Sequence, residues 1–140
     1  MLNKKIVGEI ELIDLPDIDI KGITARIDSG AHVSSIWATK VVETNGSLSV
    51  IFFDESSPFY SGKIFVFDEF EITRIKSSNG FVQTRYKILL DVNINNHLVK
   101  EKFTLADRSK MKYPILIGRN ILKDRFLIDV SLQNDQLIEK

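Results

Sequence analysis

Few side-chain types in this 140-residue chain can carry out chemistry. There is no cysteine, and the two histidines, His32 and His97, stand far apart in the sequence. Disulfides, thiolate metal sites and cysteine nucleophiles are therefore excluded. A catalytic zinc site usually takes three ligands from His, Cys and carboxylates, so zinc would have to depend on carboxylates here. No Gly-x-x-x-x-Gly-Lys-[Ser/Thr] loop is present to hold ATP phosphates. We expect no metal ion and no cofactor, and look to carboxylic acids for the chemistry.

Asp28 is the strongest candidate for a catalytic acid. It follows an apolar stretch that ends at Ile27, and it opens the tetrapeptide Asp28-Ser29-Gly30-Ala31. The carboxylate is thus predicted at the junction of a strand and a loop. A glycine at position 30 would let the backbone turn sharply, and the Ser29 hydroxyl could hydrogen-bond a neighbouring backbone group. Because Asp-Ser-Gly is also common in ordinary turns, the tetrapeptide alone leaves both interpretations open.

A second segment, Ile-Leu-Ile-Gly-Arg-Asn-Ile-Leu at 115–122, adds an apolar-apolar-Gly strand followed by a short helix. Together the two segments resemble the retropepsin-like aspartic peptidases. In that family a D-[ST]-G-A loop lies beside the apolar-apolar-Gly strand, and each subunit contributes one catalytic aspartate to a two-fold site. The resemblance implies that Asp28, Ser29 and Gly30 form the catalytic loop. It also implies that residues of the apolar-apolar-Gly strand and the residue after it support the site, namely Leu116, Ile117, Gly118 and Arg119.

The resemblance extends over nearly the whole chain and is closer still to a small bacterial family commonly labelled ATP-dependent zinc proteases, whose members have a retropepsin-like fold. Its residues here include Ala25 to Ala31, Ser34-Ser35, Ala38, Ile75 to Gly80, Arg85, Leu105 to Arg108, Met111, Tyr113-Pro114, Leu122 and Asp129. Neither the zinc nor the ATP of that label has support in the residues. The chain also departs from the family, since Trp37 stands where members often have histidine. His32 occupies the place of the aspartate that pairs, in viral retropepsins, with the arginine matching Arg119.

The implied chemistry is hydrolysis of a peptide bond by a water molecule activated between two carboxylates. Two carboxylates about 3 Å apart share one proton, so one acts as base and the other as acid. The chain has no second Asp-[Ser/Thr]-Gly triplet, so a homodimer is expected to supply the second Asp28. A non-catalytic peptide-binding or assembly module on the same fold is the alternative. A zinc peptidase using His32, His97 and carboxylates is a third reading.

Substrate contacts are expected from Ala31 and His32, which flank the loop, and from Arg74 and Arg85. A two-residue loop at Asn79-Gly80 would place the two arginines directly opposite each other, and like charges in that position are destabilising. Either nearby acids neutralise them or they bind a substrate carboxylate. The candidate acids are Asp68, Glu71 and Asp107.

The elements that position these residues are predicted to be mainly strands. Many short runs of Ile and Val are separated by turn residues, which is typical of a β-rich domain. Strands are predicted at 5–13, 18–27, 47–53, 63–70, 71–76, 82–92, 97–105, 113–118 and 126–130, with a short helix at 119–123. We therefore predict a mostly β, retropepsin-like closed barrel with one short helix near the C-terminus, as a single domain over 1–140.

Three further features have predicted structural roles. The polar segment 54–62 is expected to be a mobile hairpin over the site with Phe59 near its tip, and Trp37 is expected in the core. Asp107 and Arg108 are expected to form a local ion-paired turn.

The charge balance bears on partners and location. Nineteen basic residues balance nineteen acidic ones, so no net positive field favours nucleic acid or anionic lipid. No stretch has the length of a membrane span or signal peptide. We expect a cytoplasmic protein with a peptide or protein substrate, and neither nucleic-acid nor membrane partners.

Overall fold

The computed structural model describes residues 3–134, which are mostly strands. The strands are β1 (Lys5–Val7), β2 (Ile10–Leu15), β3 (Ile20–Ile27), β4 (Ser34–Thr44), β5 (Ser47–Phe52), β6 (Phe65–Phe67), β7 (Phe70–Lys76), β8 (Val82–Ile94), β9 (His97–Ala106), β10 (Ile115–Ile117) and β11 (Phe126–Ile128). A short 3-10 helix covers Pro16–Ile18, and a single-turn α-helix, α1, covers Arg119–Leu122.

Six strands form a closed barrel in the order β10-β3-β2-β8-β9-β4, and β4 pairs back onto β10. Outside the ring, β5 and β6 extend from β4, β7 pairs with β8, and β1 pairs in parallel with β11. The barrel encloses large apolar side chains, among them the fully buried Ile23, Ile36, Leu90, Phe103 and Ile117. Burial of this apolar surface is the main term that stabilises the barrel. The prediction of a mostly β, closed, retropepsin-like barrel with one short helix near the C-terminus is confirmed.

The catalytic-loop candidate lies where the barrel closes. The short strand β10 lies between β3, in parallel, and β4, antiparallel. Residues 28–33 connect β3 to β4, so this connection must pass across the end of β10. The apolar-apolar-Gly segment is thereby placed beside the Asp28 loop by the pairing of the strands themselves.

Most predicted strands are confirmed, but β4 was not predicted. Its sequence, Ser-Ser-Ile-Trp-Ala-Thr-Lys-Val-Val-Glu-Thr, lacks a clean alternation because its first half lies within the barrel and its second half pairs with β5. The signal that could have located it is Asn45-Gly46, which follows β4 directly. Both residues have positive φ, the conformation that a two-residue hairpin loop needs.

Candidate active site

Asp28 directly follows β3, at the junction of strand and loop that the sequence predicts, and its side chain is half-buried. Its backbone N–H donates to Ile117 O at 2.9 Å, so the residue continues the pairing of β3 with β10. Its carboxylate Oδ1 accepts a hydrogen bond from the Gly30 backbone N–H at 2.9 Å. The Ala31 N–H closes the turn by donating to Asp28 O at 3.3 Å. The carboxylate is therefore held in a tight loop, while Ser29 and Gly30 are exposed.

The segment after β10 holds the Asp28 loop in place through backbone hydrogen bonds. Arg119 N–H donates to Ala31 O at 2.7 Å, and Asn120 N–H donates to His32 O at 3.1 Å. A Cβ atom at Gly118 would lie 2.9 Å from Ala31 O and from two backbone atoms of Val33. Only glycine permits this close approach. The φ of Gly118 is −101°, which any residue can adopt, so glycine is required here for space and not for its backbone conformation. The predicted supporting role of Gly118 and Arg119 thus has a structural basis in backbone contacts.

A buried polar network ties the loop to the barrel. Ser34, with no exposed surface, accepts a hydrogen bond from the Gly118 N–H at 2.9 Å. Its own N–H and hydroxyl donate to Asn120 Oδ1 at 3.0 and 2.9 Å. Asn120 Nδ2 donates to Lys102 O of β9 at 2.9 Å. Sequence reasoning did not assign Asn120 a role, because an asparagine in a one-turn helix has no signature that separates it from a surface residue.

A cleft of about 890 Å³ opens beside the loop, and we call it the hairpin cleft. One wall contains Ala31, His32 and Leu116, and the opposite wall is the β7–β8 hairpin, including Arg85. The predicted contacts Ala31, His32 and Arg85 are thus brought together. The hairpin, and not the segment 54–62, provides the wall opposite the loop.

The predicted pairing of Arg74 with Arg85 is wrong. Ser77 N–H donates to Phe81 O, and Gly80, with φ of +87°, closes a three-residue loop at 78–80. Arg74 therefore pairs with Thr84, and Thr73 pairs with Arg85. Since neighbouring residues of a strand point to opposite faces, the two arginines lie on opposite faces of the hairpin. Arg74 is not among the residues that line the hairpin cleft.

A second cleft, of about 510 Å³, lies on the other side of the 107–113 segment, and we call it the arginine cleft. Its lining includes Thr24, Trp37, Phe59 and Arg108. Arg108 is half-buried, and its Nε donates to Tyr113 O at 3.0 Å. Burial lowers the pKa of the Arg108 guanidinium, Arg26 lowers that pKa further, and the negative charge of Asp28 raises it. Arg108 therefore feels the electrostatic field of the candidate catalytic carboxylate.

The turn formed by Asp107 and Arg108 differs from the ion-paired turn that the sequence suggested. Asp107 Oδ1 accepts a hydrogen bond from the Ser109 N–H at 3.0 Å. The Ser109 hydroxyl, followed by that N–H, holds the pKa of Asp107 below its usual value. Within residues 3–134, neither Asp107 nor Arg108 forms a salt bridge.

The two histidines occupy different surroundings. His32 is exposed beside the Asp28 loop, whereas His97, at the start of β9, packs edge-on against Phe126 with ring centres 5.6 Å apart. No three His, Asp or Glu side chains of the described residues form a group that could hold a metal ion. Over the same part of the chain, no helix has the length and apolar character needed to cross a membrane.

Comparison with known proteins links this geometry to one family. A family model described as "Retropepsin-like aspartic endopeptidase RimB" matches residues 6–137. A crystal structure of Lpg0085, a protein with unknown function from Legionella pneumophila subsp. pneumophila str. Philadelphia 1, superposes with a TM-score of 0.70. It covers 94% of this chain and 98% of that one at 23% sequence identity, which supports the fold.

Curated relatives carry a different name. A "Probable alpha-L-glutamate ligase" of Shewanella halifaxensis (strain HAW-EB4) is 34% identical over 99% of this chain. A protein of the same name from Desulfotalea psychrophila (strain LSv54 / DSM 12343) is 33% identical over 93% of it. The matched parts are 32% and 29% of those two proteins, so the chain spans about a third of their length. The zinc protease label expected from the sequence does not occur in these descriptions.

Proposed function

The chain belongs to the RimB-like family of retropepsin-like aspartic endopeptidases, and from this premise we propose that it hydrolyses peptide bonds with water activated by two Asp28 carboxylates in a homodimer. The observation that carries the proposal is the position of Asp28, at the end of a barrel strand and held against the apolar-apolar-Gly segment. A half-buried carboxylate in a fixed loop beside an open cleft can meet both substrate and a symmetry-related carboxylate.

The loop geometry supports a defined orientation of the carboxylate. Gly30 N–H holds Oδ1, and a Cβ at position 30 would lie 3.2 Å from that same oxygen. Within residues 3–134, Oδ2 of Asp28 has no side-chain hydrogen-bond donor. One oxygen is therefore fixed by the backbone, and the other is available for a water molecule or for the second Asp28.

The proposed reaction follows from one proton shared by two carboxylates. The ionised Asp28 takes a proton from water, and the water oxygen bonds to the scissile carbonyl carbon. The protonated Asp28 of the second copy gives its proton to the carbonyl oxygen, which forms a neutral tetrahedral intermediate. The first Asp28 then gives its proton to the nitrogen while the second takes one from a hydroxyl of the intermediate, so the carbon–nitrogen bond breaks, an acid and an amine are released, and the dyad again holds one proton. The mechanism needs neither zinc nor ATP.

We propose peptides that contain glutamate as the substrate class. The relatives named glutamate ligases are about three times as long as the part that matches this chain, so their name does not assign ligation to this segment. Ligation of glutamate forms an amide bond, and hydrolysis of such a bond is the reverse step. In those relatives a peptidase segment would lie in the same protein as the ligase, so we propose that both act on substrates that contain glutamate.

Cleavage of glutamate-containing peptides by purified protein tests the proposal directly. Wild type is expected to release products that mass spectrometry identifies, and Asp28→Asn is expected to release none. Asp124→Asn is the matched control, because it makes the same change at an exposed carboxylate that lines neither cleft, where asparagine tolerates the positive φ. Equal cleavage by wild type and Asp28→Asn would overturn the proposal.

A peptide-binding module without catalysis is the second candidate. It is favoured by the fact that the chain supplies a single Asp-Ser-Gly triplet, so that one chain alone has half of a dyad. Its signature is binding of the peptides at equal strength by wild type and Asp28→Asn, without products from either.

A further inference from the structure

The arginine cleft contains positive charge that the described part of the chain does not neutralise. Arg108 lines the cleft, and Thr24 of β3 lies on its wall. Thr24, Arg26 and Asp28 lie at every second position, so their side chains leave the same face of β3 and its extension. Arg26 is exposed, and it lies near enough to Arg108 to disfavour its charge. Thr24 lines the cleft, and Arg26 and then Asp28 follow it on the same face of the strand, just beyond the cleft wall.

Asp28 is the one carboxylate whose charge stabilises Arg108, and it does so without a salt bridge in the described part of the chain. Within residues 3–134, neither Arg26 nor Arg108 has an Asp or Glu oxygen within 4.0 Å, whereas four lysine or arginine side chains elsewhere do. A half-buried guanidinium without a counter-ion costs free energy, and a second cation nearby adds to that cost. A bound carboxylate would remove both penalties at once.

Two residues that line the cleft have N–H groups that could serve such a ligand. The Nε of Arg108 donates to Tyr113 O, and within residues 3–134 its two terminal nitrogens donate to no other acceptor. A planar guanidinium binds a carboxylate through two parallel hydrogen bonds. The indole N–H of Trp37, which also lines the cleft, is buried and has no acceptor within the described residues.

We propose that Arg26 and Arg108 form a subsite that binds the side-chain carboxylate of an acidic substrate residue next to the scissile bond. The inference rests on the proposed function, because it takes Asp28 as the reacting group. The hairpin cleft is the less suitable place for this recognition, since Arg85 is exposed on the outer half of its hairpin and its charge is already solvated.

Selectivity between Glu and Gln is the direct test. Two peptides that differ only by Glu or Gln beside the cleaved bond are compared by kcat/KM for wild type, Arg26→Gln and Arg108→Gln. Wild type is expected to favour Glu, and each variant is expected to reduce the Glu/Gln ratio by roughly tenfold, the value of one charge-assisted hydrogen bond. Any general effect on Asp28 cancels in the ratio, because both peptides use the same catalytic group.

Lys110→Gln is the matched control, since it removes a cation from the same segment at a position that does not line the cleft. It is expected to keep the wild-type ratio. Arg26→Gln keeps the test decisive if Arg108→Gln fails to fold, because Arg26 is exposed. A Glu/Gln ratio that is equal in wild type, Arg26→Gln and Lys110→Gln would overturn the subsite.

A binding measurement separates this inference from the proposed function. Trp37 is the sole tryptophan and lines the arginine cleft, so its fluorescence reports a ligand there. Triglutamate is expected to change the tryptophan fluorescence of the Asp28→Asn variant, whereas triglutamine is expected to leave it unchanged. In the double variant Asp28→Asn, Arg26→Gln, triglutamate is expected to have no effect. Such binding without cleavage by wild type would refute the peptidase and leave the subsite standing. Cleavage by wild type with no preference for Glu would refute the subsite and leave the peptidase standing.

Discussion

At the scale of single residues, the missing side chain at Gly118 sets how closely the apolar-apolar-Gly segment approaches the Asp28 loop. Gly118→Ala would place a Cβ atom 2.9 Å from backbone atoms of Ala31 and Val33, which cannot move without moving the loop. We expect a loss of about 1–3 kcal/mol in the free energy of unfolding in urea, together with a loss of peptide cleavage.

Gly46→Ala is the control for that substitution. Position 46 has open space around it but a φ of +82°, so alanine is strained there without any contact with the site. It is expected to lower stability while leaving cleavage at the wild-type rate per folded molecule. Equal effects of the two variants on cleavage would show that Gly118 does not position the loop.

Ser34 joins the loop to the barrel through a buried hydroxyl. Ser34→Ala leaves the Gly118 N–H without its acceptor and removes a donor from Asn120. An unsatisfied buried donor costs about 1–3 kcal/mol, and we expect that decrease in the free energy of unfolding. Ser35→Ala, at the half-buried neighbouring position, is expected to cost much less. An equal decrease in the free energy of unfolding for Ser34→Ala and Ser35→Ala would contradict a stabilising role of the Ser34 hydrogen bonds.

Residue types alone allowed part of the site to be predicted. Asp28 and Gly118 belong to short segments with a recognisable pattern, so sequence could indicate that they meet. Arg26 and Asn120 belong to the same two segments, but the sequence assigned them no role, because their roles depend on which residues the barrel brings next to them. Arg108 was recognised, but its environment was not, since its partner is a backbone carbonyl.

At the scale of the elements, one residue in a hairpin loop decides which arginine faces the cleft. Asn79-Gly80 predicted the hairpin correctly, but the loop includes Ser78 as well. A change of one residue in register moves every side chain to the other face of a strand. Sequence could therefore locate β7 and β8 but not the face on which Arg74 and Arg85 point.

The hairpin predicts different consequences for those two arginines. Arg85 lines the hairpin cleft, and Arg74 points away from it. We expect Arg85→Gln to raise KM for glutamate-containing peptides several-fold, the size typical of one partly solvated charged contact, and Arg74→Gln to raise it less. Steady-state kinetics with both variants measures this. A larger effect of Arg74→Gln would contradict the register that pairs Arg74 with Thr84.

At the scale of the whole molecule, the fold was the most predictable property because most of its strands are defined by local sequence. Alternating apolar residues and turn pairs such as Asn95-Asn96, both with positive φ, define most strands locally. The pairing of β10 between β3 and β4 joins segments distant in the sequence, and only the family resemblance indicated it. That residues 1–140 form one domain stays a prediction.

The proposed chemistry also belongs to this scale, because it requires two molecules. A dyad built from two Asp28 side chains must lose activity on dilution, as dimers dissociate into chains with one carboxylate each. Sedimentation over the same range of concentration is expected to show the dimer wherever the protein is active. Full specific activity at concentrations where sedimentation shows only monomer would contradict the paired site.

Subunit mixing tests the shared dyad most directly. Wild type and Asp28→Asn are mixed in equal amounts, allowed to exchange subunits, and assayed for peptide cleavage at constant total protein. If both Asp28 side chains are needed, only wild-type dimers are active, and random pairing leaves about one quarter of the activity of pure wild type. About one half, rising in direct proportion to the wild-type fraction after complete exchange, would mean that each chain acts with its own Asp28 alone.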